Sequence, residues 1–133
     1  MTKKVIEIFP DPDLNDLSEL KGARYKELDG RTGELIKNGF NYAGKQFSLS
    51  QNAQINILGL DNAKDDPALS YPISYNTIDD QDSYDVVDAT DVHNMYLTAL
   101  ATKKAHVDSG TILKKQVRDA VDIAAVNAIV DNR

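Results

Sequence analysis

Gly39-Phe40-Asn41-Tyr42-Ala43-Gly44-Lys45-Gln46-Phe47-Ser48-Leu49-Ser50 is the stretch on which the fold turns. Phe40 and Tyr42 fall on one face of a strand, and Phe47 and Leu49 on one face of the next, because strand side chains alternate between two sides. Ala43-Gly44 separates the two runs, and glycine supplies the positive φ of a tight turn without steric cost. The pattern predicts a β-hairpin whose aromatic and leucine face is turned to the core. Ser50 then stands where a helix N-cap is wanted, while Ser48 with Gln51 has the spacing of a competing capping box. Only one of the two frames can be real. The helix that follows is predicted to run to about Leu58, to stop at Gly59, and to turn Ala53, Ile57 and Leu60 inward.

Working outward toward higher numbers, residues 61–70 form an acidic connection. Tyr71-Pro72-Ile73-Ser74-Tyr75 alternates like an edge strand, where a proline is tolerated. Tyr84-Asp85-Val86-Val87 is its predicted hairpin partner across the loop Asp79-Asp80-Gln81-Asp82-Ser83. From Thr90 onward the chain is predicted helical, with Thr90 as cap and Asp91 favouring the positive helix end. Val92, Met95, Tyr96, Ala99, Leu100 and Val107 make an inward stripe, continued by Ile112, Leu113, Val117, Ala120 and Val121. A kink or break is expected between them at Ser109-Gly110. Asp122 caps a last short helix carrying Ile123, Val126, Ile129 and Val130.

Toward lower numbers, Tyr25-Lys26-Glu27-Leu28 and Glu34-Leu35-Ile36-Lys37 flank the turn-rich Asp29-Gly30-Arg31-Thr32-Gly33, which suggests a further hairpin. Residues 1–23 read as an arm, with the domain proper at 24–133. Val5, Ile6, Ile8 and Phe9 are an apolar cluster stopped by Pro10-Asp11-Pro12. Leu14, Leu17 and Leu20 recur at helical spacing before Gly22. So short an apolar segment cannot bury itself, and must dock on the domain behind it or on a partner. These seven residues are the candidate partner-binding set. The expected architecture is α+β: two β-hairpins packed with one short helix and a C-terminal helical segment, plus the arm.

Composition narrows the function classes. At 133 residues, 41% hydrophobic and 27% charged, the chain suits one compact domain and is too apolar for wholesale disorder. It has no cysteine, which excludes disulfides, thiolate metal sites and cysteine nucleophiles. No run approaches the apolar length of a membrane span, and the N-terminus lacks a signal peptide's apolar centre. Residues 61–91 hold nine acids against Lys64 alone, whereas the rest of the chain has fourteen bases and twelve acids. That region is a solvated loop system ill suited to phosphate recognition. Lys103-Lys104 and Lys114-Lys115-Arg118 are interspersed with Asp108 and Asp119 and lack aromatic companions for stacking, so no nucleic-acid partner is expected.

Catalysis finds little support in the motifs. His93 and His106 are the two histidines, and on one helix they lie roughly 140° apart, too far round to share a metal or substrate. No orienting partner for either is visible in the sequence. Asp80 and Asp82 have the i, i+2 spacing of a calcium loop, with Asp91 at a twelfth position. The sixth position is Asp85 rather than glycine, and Asp91 is shorter than the usual bidentate glutamate. No metal, no cofactor and no enzymatic activity are therefore expected.

The assembled motifs resemble an uncharacterised domain found in tailed-bacteriophage tail-fibre and virion structural proteins. The resemblance rests on Ile36 to Ser50 followed by Ala53-Gln54, on Tyr71-Pro72-Ile73, and on Asp79-Asp80-Gln81. It continues through Val107-Asp108-Ser109-Gly110 into Leu113-Lys114, and through Val126 and Ala128-Ile129-Val130-Asp131-Asn132-Arg133. It spans roughly residues 31–133, and departs from the pattern in having no tryptophan. It implies a structural or accessory virion component made in the bacterial host cytoplasm. Such a protein binds other phage proteins at the tail or its fibres, and self-association is compatible with that role. A capsid decoration or head-fibre protein, or a tail-fibre assembly chaperone, are the alternatives that the resemblance leaves open.

Overall fold

The computed structural model describes residues 12–133, with side chains from residue 15 onward. Val5, Ile6, Ile8, Phe9 and the side chain of Leu14 lie outside the described residues. The fold is α+β. The elements run α1 (Pro12–Lys37), β1 (Phe40–Tyr42), β2 (Lys45–Phe47), α2 (Gln51–Ala63), β3 (Ile73–Asn76), β4 (Ser83–Val86), α3 (Ala89–Asp119) and α4 (Ile123–Asn127). Two two-stranded antiparallel sheets, β1-β2 and β3-β4, are the sheets among the described residues. The chain divides into two compact units, one of residues up to Thr32 with Asp108–Arg133, the other Gly33–Val107. Residue 23, the expected end of the arm, lies inside α1.

In the unit Gly33–Val107 the first hairpin has the predicted turn. Phe40 pairs with Phe47 and Tyr42 with Lys45, leaving Ala43-Gly44 as a two-residue loop. Both loop residues have positive φ, 53° at Ala43 and 76° at Gly44, the requirement of the turn whose twist matches paired strands. Phe40, Phe47 and Leu49 are buried with Ile57, Val86, Val92, Met95 and Ala99. Phe47 is fully buried, with ring centroids of Phe40 and Tyr75 each 5.6 Å away. The second hairpin pairs Ile73 with Val86 and Tyr75 with Tyr84. Of the two capping frames the Ser50 one is real, since the Ala53 N–H donates to Ser50 Oγ at 3.1 Å.

The other unit is built on Leu28, Val117 and Val126, with Leu17, Leu20, Tyr25, Leu113 and Ile129 packed around them. Here the expected hairpin over 24–37 is overturned, because those residues belong to the 26-residue helix α1. Leu17, Leu20 and Leu28 recur at helical spacing against Val117 and Val126, and burial of that stripe outweighs the weak helix propensity of Gly30 and Gly33. Of the kink or break expected at Ser109-Gly110, the break is overturned: α3 runs through it as one helix. Gly110 is there for space: a Cβ added to it would lie 2.5 Å from Thr32 Oγ1.

Two smaller boundaries also move. α2 continues through Gly59 to Ala63 rather than ending at Leu58. The cap of α3 is Asp88 rather than Thr90, for the Asp91 N–H donates to Asp88 Oδ1 at 2.8 Å. Leu100, Val107, Ile112 and Val121, expected in the inward stripe, are exposed. Asp122 caps α4 as expected, accepting from the Ala125 N–H at 2.7 Å.

Candidate functional site

Helices α2 and α3 are joined by two polar bridges. At one, Lys103 Nζ donates to Gln54 Oε1 at 2.6 Å, and Gln54 Nε2 donates to the Leu49 carbonyl at 2.7 Å. At the other, His93 Nδ1 lies 2.8 Å from Asp61 Oδ1, with Lys64 Nζ 3.7 Å from the same oxygen. Residue 54 meets 103 and residue 61 meets 93, so the two helices run antiparallel. Between the bridges lies an open apolar groove of about 360 Å³, lined among others by Leu49, Ile57, Leu58, Tyr96, Ala99 and Leu100. Ile57 and Ala99 form its floor as part of the core, whereas Ile55 is 60% exposed on its wall and Leu100 49% exposed. A contiguous apolar surface of this kind, rimmed by polar groups, is the chemistry of a protein-binding face.

The buried polar groups of the same unit serve the fold. Asp91 accepts from Tyr42 Oη, from Tyr84 Oη at 2.7 Å and from the Val87 N–H at 3.0 Å. Burial pushes its carboxyl upward, but the three hydrogen bonds outweigh that and hold it below the usual range. Tyr42 is pushed well above the ordinary phenol range, by burial first and then by Asp91. Tyr84 is raised by its bond to Asp91 first and by burial second. One ionised carboxylate thus ties the first hairpin, the second hairpin and the first turn of α3 together.

The acidic hairpin loop is likewise internally engaged. Asp82 accepts from Lys45 Nζ and from the Ser83 N–H, and Asp79 accepts from Thr77 Oγ1 and the Gln81 N–H. Asp91 is therefore held by the tyrosines, not by a shared cation with Asp80 and Asp82. Among the described residues no group of three or more His, Asp or Glu could hold a metal ion. In the other unit the Arg133 guanidinium reaches Asp131, Thr32 Oγ1 and the Leu28 carbonyl, while Arg31 donates twice to the Arg133 main-chain oxygen.

Leu17 and Leu20 take the first of the two dockings open to them, packing half-buried on their own unit. The exposed apolar face formed by Ile55, Leu58 and Leu100 was not read from the sequence, which placed Leu100 in the inward stripe. A signal existed, since Ile55, Ile57, Leu58 and Leu60 span too wide an arc of one helix for a single buried face. His93 does have an orienting carboxylate, Asp61, which sequence reasoning missed because the two lie 32 positions apart.

No curated protein and no solved structure matches the chain. Residues 19–131 match a family described as a domain of unknown function, DUF4376. The match begins earlier than the resemblance quoted from residue 31 and takes in most of α1. It covers well over half of the sequence, and the chain belongs to the DUF4376 family.

Proposed function

We propose that this protein is a structural or accessory component of a tailed-phage particle, placed at the tail or its fibres, and that it acts by binding other proteins rather than by chemistry. The observation that carries the binding part is the open groove between α2 and α3, where Ile55, Leu58 and Leu100 are left to solvent. Each of these half-exposed aliphatic side chains forgoes roughly 1 kcal/mol of burial, which a partner recovers. The phage assignment is supported by the ordered motifs from Ile36 to Arg133, which resemble virion proteins. Absence of chemistry is supported by how the polar clusters are used. Asp91, Tyr42 and Tyr84 saturate one another, and among the described residues the other ring nitrogen of His93 has no hydrogen-bond partner to complete a catalytic set.

The test is recovery in purified particles. Leu58→Glu with Leu100→Glu should fold with an unchanged circular dichroism spectrum and be lost from particles by mass spectrometry. His93→Gln should be incorporated and leave infectivity intact. Normal incorporation of the leucine variant would overturn the groove as the attachment surface. Wild-type protein present during assembly but missing from finished particles would make it an assembly chaperone.

A further inference from the structure

Asn38-Gly39 is the one place in the sequence where asparagine precedes glycine. The pair is chemically labile in an open chain. Glycine has no β-carbon in the way, so its nitrogen can swing onto the carbonyl carbon of the asparagine side chain. The carbon–nitrogen bond that forms displaces the side-chain nitrogen, which leaves as ammonia with the proton of the Gly39 amide, and a cyclic imide remains. Water then opens the ring at one carbonyl or the other. One opening gives aspartate. The other gives isoaspartate, in which the main chain runs through the former side chain and is longer by one carbon.

In the folded chain the reacting groups are adjacent, but the motion that joins them is blocked. The Asn38 side chain is exposed and makes no hydrogen bond among the described residues. The peptide unit between Asn38 and Gly39, by contrast, is held at both of its polar groups. Its carbonyl accepts from Gln46 Nε2 at 2.7 Å, and its N–H donates to the Ile36 carbonyl at 2.9 Å. One unit earlier, the Asn38 N–H donates to the Glu34 carbonyl at 3.0 Å. Gly39 is buried at a φ of 84°, and a Cβ added to it would collide with the Phe47 carbonyl. Gln46 is itself fixed, paired with Asn41 across the hairpin and accepting at its carbonyl from the Ile78 N–H at 2.9 Å. Turning the Asn38–Gly39 unit toward the Asn38 side chain breaks both of its hydrogen bonds, so attack waits on local opening of the hairpin and the end of α1.

We propose that Asn38 is a site of spontaneous conversion to isoaspartate, gated by the fold, with the Gln46 side-chain amide as its latch. The reaction is slow while the latch is closed and fast once the hairpin opens. Its product is a lasting mark, because the added carbon falls between the last turn of α1 and Phe40 and shifts Phe40 from its place opposite Phe47.

Peptide mapping by mass spectrometry tests it, on the purified full chain after timed incubation in mildly alkaline buffer, with aspartyl and isoaspartyl products separated by chromatography. In concentrated urea Asn38 should lose its amide faster than any other asparagine of the chain. In the folded wild type it should react at least about tenfold more slowly than in urea. Gln46→Leu should speed the reaction of the folded chain by about fivefold, the factor that one net hydrogen bond represents, and leave the rate in urea unchanged. Gln46→Lys, which keeps a donor for the Asn38 carbonyl, should stay closer to the wild type. Isoaspartyl chains formed in urea and returned to buffer should melt below the unmodified protein. Comparing folded with urea-treated wild type decides the gating even if Gln46→Leu does not fold. A folded wild type that reacts as fast as in urea, another asparagine that outpaces Asn38 in urea, or a well-folded Gln46→Leu that reacts no faster than wild type would each overturn the proposal. Isoaspartyl chains that melt like the unmodified protein would overturn the lasting mark.

Discussion

Asp91 is 9% exposed and carries three donors on its two oxygens, so its ionisation is bound up with folding. Its folded-state pKa is lowered, so it contributes stability above its unfolded value that is lost as pH falls through the folded one. Tyr84 works in the opposite sense. Raised from 10.0, it contributes below that value and loses the contribution as pH climbs through the raised one. Tyr42→Phe removes one donor from a buried carboxylate and should cost about 1–2 kcal/mol at neutral pH. It should also move acid unfolding to higher pH, which urea midpoints measured from neutral to acidic pH would register. An acid limb that does not move would mean that Tyr42 is not what depresses Asp91. Ala43 tells a simpler story. It holds a φ of 53°, where a β-carbon is penalised, so Ala43→Gly should stabilise by about 1 kcal/mol in the same assay.

At the scale of elements, glycine separates what the sequence disclosed from what it hid. Gly44 announced a turn, and the hairpin Phe40–Phe47 is as read. Gly30 and Gly33 also looked like a turn, yet they lie within α1, where an added Cβ would meet nothing within 4 Å. Local chemistry favoured a loop there, and the decisive opposing force, burial of Leu28 against Val117 and Val126, comes from residues about ninety positions away. The groove was hidden for the same reason: which helix face stays open depends on how α2 meets α3. Gly30→Ala with Gly33→Ala should therefore stabilise by about 1–2 kcal/mol, because helix propensity is gained without a clash. Gly110→Ala should do the reverse, costing about 1–3 kcal/mol by forcing Thr32 and the Arg133 guanidinium aside. Thermal melts of the two variants should shift in opposite directions, and a stabilised Gly110→Ala would disprove the close approach.

Over the whole molecule two hydrophobic clusters are built from one chain, and α1 and α3 each contribute residues to both units. Unfolding one unit alone would require cutting the helix α1 after Thr32 and the helix α3 after Val107. A single cooperative transition follows. Phe47→Ala in one cluster and Val117→Ala in the other should each lower that one transition, Phe47→Ala by about 4 kcal/mol. Helical circular dichroism and tyrosine fluorescence should trace coincident curves, and separated midpoints would show units that unfold independently. The contact of Gly110 with Thr32 reaches beyond any one molecule. The two positions should be coupled in descent: a lineage that enlarges residue 110 before residue 32 shrinks passes through a less stable ancestor. Across the family these two sites should drift as a pair, in a fixed sequence of steps.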